Sequence, residues 1–161
     1  MLRLTGIGLA MLVLCAQSAA FDVRAYGALG DGVTDDTAAF QEAMDACREQ
    51  GGGVVTVPAG RYLIQTHLII PPSVTLEGTW RAPATVHQYH KNPEDFMAGP
   101  ELTGSVLLAV DGKGDEDGTP FIRMNTNSTL KGLTIFYPEQ TKTNPPIAYP
   151  WTVASAGADN P

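Results

Sequence analysis

Short apolar strands recur from Val54 to the C-terminal end with no helical period between them, and this recurrence most constrains the fold. The runs are Val54–Val57, Tyr62–Ile64, Leu68–Ile70, Val74–Leu76, Val106–Val110, Phe121–Met124, Leu130–Phe136 and a last one at Trp151–Val153. Gly, Pro, Asn or Asp separates most of them, the punctuation of strands joined by turns. Val54, Val74, Val106 and Leu130 mark steps of 20, 32 and 24 residues. Such steps suit a solenoid whose coils each hold several short strands, although an antiparallel sandwich gives similar spacing. The near absence of two-residue Asn-Gly or Asp-Gly hairpins between these strands favours the solenoid.

One helix stands ahead of the strands. Phe21, Val23 and Ala25 alternate with Asp22, Arg24 and Tyr26, which predicts a half-buried strand. Gly27, Gly30 and Asp31-Gly32 supply turn chemistry. Thr34, Asp35 and Asp36 then offer acceptors and negative charge to the bare N–H groups of a helix start. Phe40, Ala43, Met44 and Cys47 fall on one apolar stripe, and Gln41, Glu42, Asp45 and Glu49 cover the other side. Gly51-Gly52-Gly53 ends the helix. A single one-sided helix before a run of strands is suited to covering the open end of a solenoid.

The chain has 161 residues, 43% of them hydrophobic, enough for one domain with a core. A formal charge of −7 argues against nucleic-acid binding and against an anionic membrane surface. It also means that an acidic polysaccharide would need local basic residues or a bridging cation. Residues 1–20 read as a secretory signal peptide: Arg3, a short apolar run from Ile7 to Cys15, and Ser18-Ala19-Ala20 at the cleavage site. The run is too short for a membrane anchor. Leu14 is too bulky for the small residue that usually precedes a lipidated cysteine. Cleavage after Ala20 predicts a secreted or periplasmic protein with no membrane association. It leaves Cys47 alone, unable to form an internal disulfide, and its place on the apolar stripe predicts a buried small hydrophobe.

Several linked motifs carry a resemblance. They are Asp22-Val23 with Tyr26-Gly27, Gly30-Asp31-Gly32-Val33-Thr34-Asp35-Asp36-Thr37, Gly52-Gly53-Val54-Val55, Val57-Pro58-Ala59-Gly60-Arg61-Tyr62 and Val74-Thr75-Leu76-Glu77-Gly78. In that order they resemble the N-terminal portion of the pectate lyase superfamily, in the rhamnogalacturonase- and polygalacturonase-like pattern. The resemblance implies a mainly β, right-handed parallel β-helix with an N-terminal capping α-helix, here over residues 21–161 as the cap and first few coils. It implies a glycoside hydrolase acting on a pectin-like polysaccharide, with a Ca²⁺-dependent polysaccharide lyase or a non-enzymatic, tailspike-like binding protein as the alternatives. Only the lyase reading calls for Ca²⁺, and no other cofactor is expected.

In polygalacturonase-like members the catalytic aspartates lie in Asn-Thr-Asp and Asp-Asp segments followed by a His-containing one. Here Asn125-Thr126-Asn127 lacks the carboxylate, and no later Asp-Asp pair or partner His follows. Asp35-Asp36 is placed to cap a helix rather than to flank a sugar. Nothing near Ala156–Pro161 reads as a C-terminal cap. The catalytic residues are therefore expected beyond Pro161, in a longer protein of which this stretch alone is inactive.

The polar insertion from Trp80 to Gly104 is the remaining binding candidate, with Trp80, Arg81 and Tyr89 suited to stacking on sugar rings and pairing with carboxylates. His87, His90 and Asp95 in the same insertion lack a further ligand for Zn²⁺, so no metal site is expected. The acidic run Asp111–Gly118 has the composition of a Ca²⁺ loop but carries Ile122 where an EF-hand needs its bidentate Glu, and reads as a solvated turn. Asn127-Ser128-Thr129 is a glycosylation sequon, usable only in a eukaryotic secretory host.

Overall fold

The computed structural model describes residues 21–80, 104–140 and 144–155. Eleven strands alternate with one 3₁₀ turn and one α-helix: β1 (Phe21–Asp22), the 3₁₀ turn (Val23–Tyr26), β2 (Asp31–Asp35), α1 (Thr37–Glu49), β3 (Gly53–Thr56), β4 (Gly60–Ile64), β5 (Leu68–Ile70), β6 (Val74–Glu77), β7 (Ser105–Ala109), β8 (Ile122–Met124), β9 (Thr129–Lys131), β10 (Thr134–Phe136) and β11 (Val153–Ser155). They form three sheets, ordered β1-β3-β6-β9, β2-β4-β7-β10 and β5-β8-β11. Every pairing is parallel. Each coil therefore contributes one strand to each sheet: β3–β5, then β6–β8, then β9–β11. This is a parallel β-helix, and the sandwich alternative is excluded because a sandwich is built from antiparallel neighbours.

The ladders correct the coil marks. Gly53 pairs with Val74 and Thr75 pairs with Thr129 in the first sheet, whereas Val106 lies in the second. Val54 is 42% exposed and Val55 is fully buried, because only alternate residues face inward. The apparent single run Leu130–Phe136 is two strands, β9 and β10, bent around Gly132 into different sheets. Short strands at a solenoid corner look continuous in sequence because the bend costs only one or two residues.

The core is a column of inward side chains stacked coil on coil. Val55 stacks on Leu76, Tyr62 on Leu107, and Leu68 on Ile122, all fully buried. The end of this column is closed by α1, whose Phe40, Ala43, Met44 and Cys47 are buried as the stripe predicts. Burying side chains such as Phe40 and Met44 contributes about 1.5–3 kcal/mol each. The Phe40 and Tyr62 rings meet edge to face, 5.1 Å apart. Tyr62 donates its hydroxyl to the Pro58 carbonyl at 2.9 Å and accepts from Arg24 Nε at 3.3 Å. Gly30 sits over that ring at φ 66°, where a Cβ would lie 2.8 Å from Tyr62 Cε1.

In the third sheet α1 replaces a strand. The Gln41 amide donates to the Ile69 carbonyl at 3.0 Å and accepts from the Ile69 N–H at 3.1 Å. One side chain thereby supplies β5 with the two bonds that a neighbouring strand would supply.

Two local expectations change. The strand expected across Phe21–Ala25 stops after Asp22, whose carboxylate accepts from Arg24 N at 2.8 Å and starts the 3₁₀ turn. Asp31-Gly32 is not a free turn but the start of β2. Asp31 bonds Val33 N and Thr34 N at 2.9 and 2.8 Å, so it retains its local role inside the strand.

Cys47 is buried, and burial pushes its thiol above its ordinary pKa. Thiol-reactive probes are expected to leave Cys47 unmodified in the native protein and to react fully in denaturant. Fast native labelling would show that the helix stripe opens locally.

Candidate functional site

The three corners of the helix differ in length. The corner between the third and first sheets is short in both coils, at 71–73 and 125–128. The chain makes its long excursions on the two sides of the second sheet, at 78–104 before β7, and at 110–121 and 137–152 after β7 and β10. The outer face of the second sheet thus runs between them. Arg61, Val106 and Thr134 form one outward ladder on it, and Leu63, Leu108 and Phe136 form the next. Val106 and Leu108 are buried although they stand apart from the core cluster.

On one side the excursions stack into a wall. Gly114 N donates to the Ala148 carbonyl at 2.8 Å, and Phe121 N and Ile122 N donate to the Trp151 and Thr152 carbonyls at 3.0 Å. Phe121, Tyr137 and Tyr149 pack as a row of rings, 6.4 and 4.6 Å between successive centroids. Tyr137 and Thr152 share a hydroxyl–hydroxyl bond of 2.9 Å. Lys113 pairs with Glu139 at 2.8 Å, and the hydrogen bond and charge of that carboxylate raise the lysine's pKa. Burial pushes the Tyr149 hydroxyl up; its oxygen is enclosed with no partner among the described residues. Trp151 stands on this wall, 67% exposed. An exposed indole is a flat apolar face suited to a sugar ring.

The acidic run Asp111–Gly118 is the lower layer of that wall. Asp115 spends a carboxylate oxygen on Asp117 N at 3.2 Å. No three His, Cys, Asp or Glu side chains converge among the described residues.

Of the residues singled out in the Trp80–Gly104 insertion, only Trp80 is described. It is 38% exposed, and its backbone N–H donates to the Gly132 carbonyl at 3.1 Å. Arg81 and Tyr89, and with them His87, His90 and Asp95, lie outside the described residues. Asn125 donates its side-chain amide to the Ile70 carbonyl at 2.9 Å and so ties two coils together.

The carboxylate pair divides its work in a way the sequence does not show. Asp35 caps the helix: its Oδ1 accepts from Thr37 N at 3.0 Å, from the Thr37 hydroxyl, and from Gln65 N at 3.4 Å. Asp36 occupies the N-cap position, but its side chain makes no cap bond. It is buried and accepts instead from Leu29 N at 2.7 Å and Gly30 N at 3.1 Å. The capping expectation therefore holds for Asp35 and is corrected for Asp36. The buried carboxylate braces the turn before β2, because that turn has no strand to take its N–H groups.

Burial pulls the Asp35 carboxyl up, but the Thr37 and Gln65 hydrogen bonds outweigh it and hold the pKa below its ordinary value of 3.8. Bonds from Thr34 and Val33 lower that of Asp31. Folded pKa values below the unfolded ones mean that the unfolded chain binds more protons in that interval. The stabilisation is therefore complete above the unfolded value and is lost as pH falls through the folded ones. The thermal midpoint is expected to be flat from about pH 7 to about pH 5 and to fall below about pH 4, less steeply in Asp35→Asn.

Beside these residues, Asp35, Thr37, Ala38, Gln41, Thr66, His67 and Ile69 line an open concavity of about 420 Å³ at the capped end. Neither Thr66 nor His67 stands out in the sequence. The only available signal was their position in a three-residue gap between strands, where a side chain must leave the core.

Residues 20–158 match the family described as Rhamnogalacturonase A/epimerase, pectate lyase-like. The chain belongs to this family. Among relatives in it, mannuronan C5-epimerase AlgE2 of Azotobacter vinelandii is 38% identical over 103 residues, covering 64% of this chain and 9% of its own length. An exopolygalacturonase of Arabidopsis thaliana is 47% identical over 106 residues, covering 60% of this chain and 23% of its own. Mannuronan C5-epimerase AlgE6 of Azotobacter vinelandii is 50% identical over 119 residues, covering 71% and 12%. The chain thus spans less than a quarter of each of these three relatives. Among solved structures, the AlgE6 A-module superposes with a TM-score of 0.41 and 25% identity, over 83% of this chain and 35% of that one. ORF18 of Geobacillus virus E2 superposes with a TM-score of 0.48 and 20% identity, over 72% and 20%. The family is one of carbohydrate-active proteins whose members act on polysaccharides.

Proposed function

We propose that this chain belongs to a secreted protein that binds and acts on a polymer of uronic acids. The observation that carries the reading is the family match over residues 20–158, together with relatives named for mannuronan and polygalacturonan, both polyuronates. The wall built from 110–121 and 144–152 supports it, since long loops on a rigid scaffold commonly carry binding surfaces. Trp80 and Trp151 add exposed aromatic faces suited to sugar rings.

Hydrolysis of a pectin-like chain is the first reading of the reaction. The epimerase relatives favour a second, in which a proton is removed at C5 of the uronate. Calcium enters under the lyase reading, where it would bridge a chain of net charge −7 to an anionic substrate. Asp35 and Asp36 are committed to capping and bracing, so this adjacent pair does not serve as the acid–base pair.

The test is affinity electrophoresis in gels containing polygalacturonate, alginate or dextran, with and without Ca²⁺, followed by product analysis. Retardation by a polyuronate and not by dextran is expected. New reducing ends without unsaturation indicate hydrolysis, unsaturated ends indicate a lyase, and altered C5 configuration at constant chain length indicates an epimerase. Retardation by neither polyuronate overturns the reading.

A further inference from the structure

The concavity beside the helix cap lies at the capped end of the corner whose next coils build the wall, and nothing in the polyuronate reading uses it. Its volume of about 420 Å³ is within the range of small-ligand sites. Its corner is clamped at both ends by side chains of α1. Gln65 N donates to the Thr37 hydroxyl at 3.0 Å, and Ile69 is paired on both backbone groups by Gln41. Binding there would need little ordering of the backbone.

Between the clamps lie polar groups with unused capacity. Thr66 and His67 have no hydrogen-bond or ionic partner among the described residues, and His67 is half-buried. Asp35 takes its donors on Oδ1, which leaves Oδ2 open. A carboxylate oxygen accepts, while a hydroxyl and an imidazole each donate and accept. Ala38 and the partly exposed Ile69 add apolar surface beside them. This set matches the vicinal hydroxyls and C–H face of a pyranose. Its one formal charge is negative, which disfavours a uronate.

We propose that this concavity binds a neutral pyranose unit, as an anchoring subsite at the capped end. The Asp35 Oδ2 accepts from a ring hydroxyl, Thr66 and His67 complete the polar contacts, and Ile69 packs on the C–H face. The proposal stands or falls without the polyuronate reading, because its deciding probes are uncharged and its residues are none of those that reading uses.

The test is a ¹H–¹⁵N NMR titration of the chain with the methyl β-pyranosides of galactose, glucose and mannose, and with sodium galacturonate. Saturable shifts confined to Gln65–Ile69 and the start of α1 are expected with at least one neutral glycoside, with binding of galacturonate at least tenfold weaker. His67→Ala, and Ala38→Leu at an exposed helix position, are each expected to weaken that binding at least fivefold while distant amides stay in place. The proposal is overturned by no saturable shift with any neutral glycoside, by equal or tighter binding of galacturonate, or by unchanged affinity in both variants.

Discussion

Gly78→Ala is expected to lower the stability of the β-helix by about 3 kcal/mol, and to do so by prising the third coil from the second. Gly78 follows β6 and Gly132 follows β9, so they occupy the same corner in successive coils. Their backbones are in direct register there: Gly78 N donates to the Lys131 carbonyl at 2.9 Å, and Trp80 N to that of Gly132 at 3.1 Å. A Cβ on Gly78 would overlap the Gly132 carbonyl oxygen and lie 2.8 Å from its carbon. The obstacle is backbone held by a parallel ladder, so no side chain can rotate away. Relief requires the corner to open, which loses the adjoining bonds between β6 and β9. Gly132 faces the reciprocal problem, since a Cβ there would lie 2.7 Å from the Gly78 oxygen and 2.8 Å from that of Trp80. Urea denaturation followed by tryptophan fluorescence measures this directly, because Trp80 sits at the contact. A midpoint equal to that of the unaltered protein would mean that the coils are not held at this spacing.

Asp36→Ala is expected to cost a similar amount, about 3 kcal/mol, through the turn before β2 rather than through the helix. Removing the buried carboxylate strands the N–H groups of Leu29 and Gly30, which it alone accepts from. Asp36→Asn keeps one acceptor oxygen and is expected to recover roughly half of the loss. Asp35→Ala removes the actual cap at an exposed position and is expected to cost about 1 kcal/mol. The order of the two alanine variants is the decisive readout in a denaturation series. A larger loss for Asp35→Ala would assign the bracing role wrongly.

The helix and its stripe were legible because a 3.6-residue period is a local signal: Phe40, Ala43, Met44 and Cys47 could all be buried only on one face. Strand positions were legible for the same reason, since β-branched runs between Gly and Pro have few other uses. The coil period was not. The insertion 78–104 and the excursion 110–121 lie within one coil, so the first-sheet spacing jumps from 21 residues between Gly53 and Val74 to 54 between Thr75 and Thr129. A loop of any length can leave and rejoin a solenoid at modest entropic cost, and sequence distance then ceases to measure coil height.

The site divides the same way. Trp80 was legible as an exposed aromatic at the start of a polar insertion, and it is one. His67 and Thr66 were not, because a histidine in a short gap looks like any solvated corner residue. Their interest arises from Gln41 and Asp35, 26 and 32 positions before His67, which fix the corner around them.

By itself the sequence determined the family, the cap-then-coils order and the buried stripe of the helix, because these depend on neighbours within one or two turns of chain. The tertiary structure decided the rest. It gave Asp35 and Asp36, adjacent and chemically identical, the separate tasks of cap and brace. It made Gly78 and Gly132 a single contact although they are far apart along the chain. It also bound an acidic turn to a proline-rich loop as one wall. Each of these depends on which coil lies above which, and that is set by parallel backbone pairing, which reads position in the stack and not the identity of the side chains between.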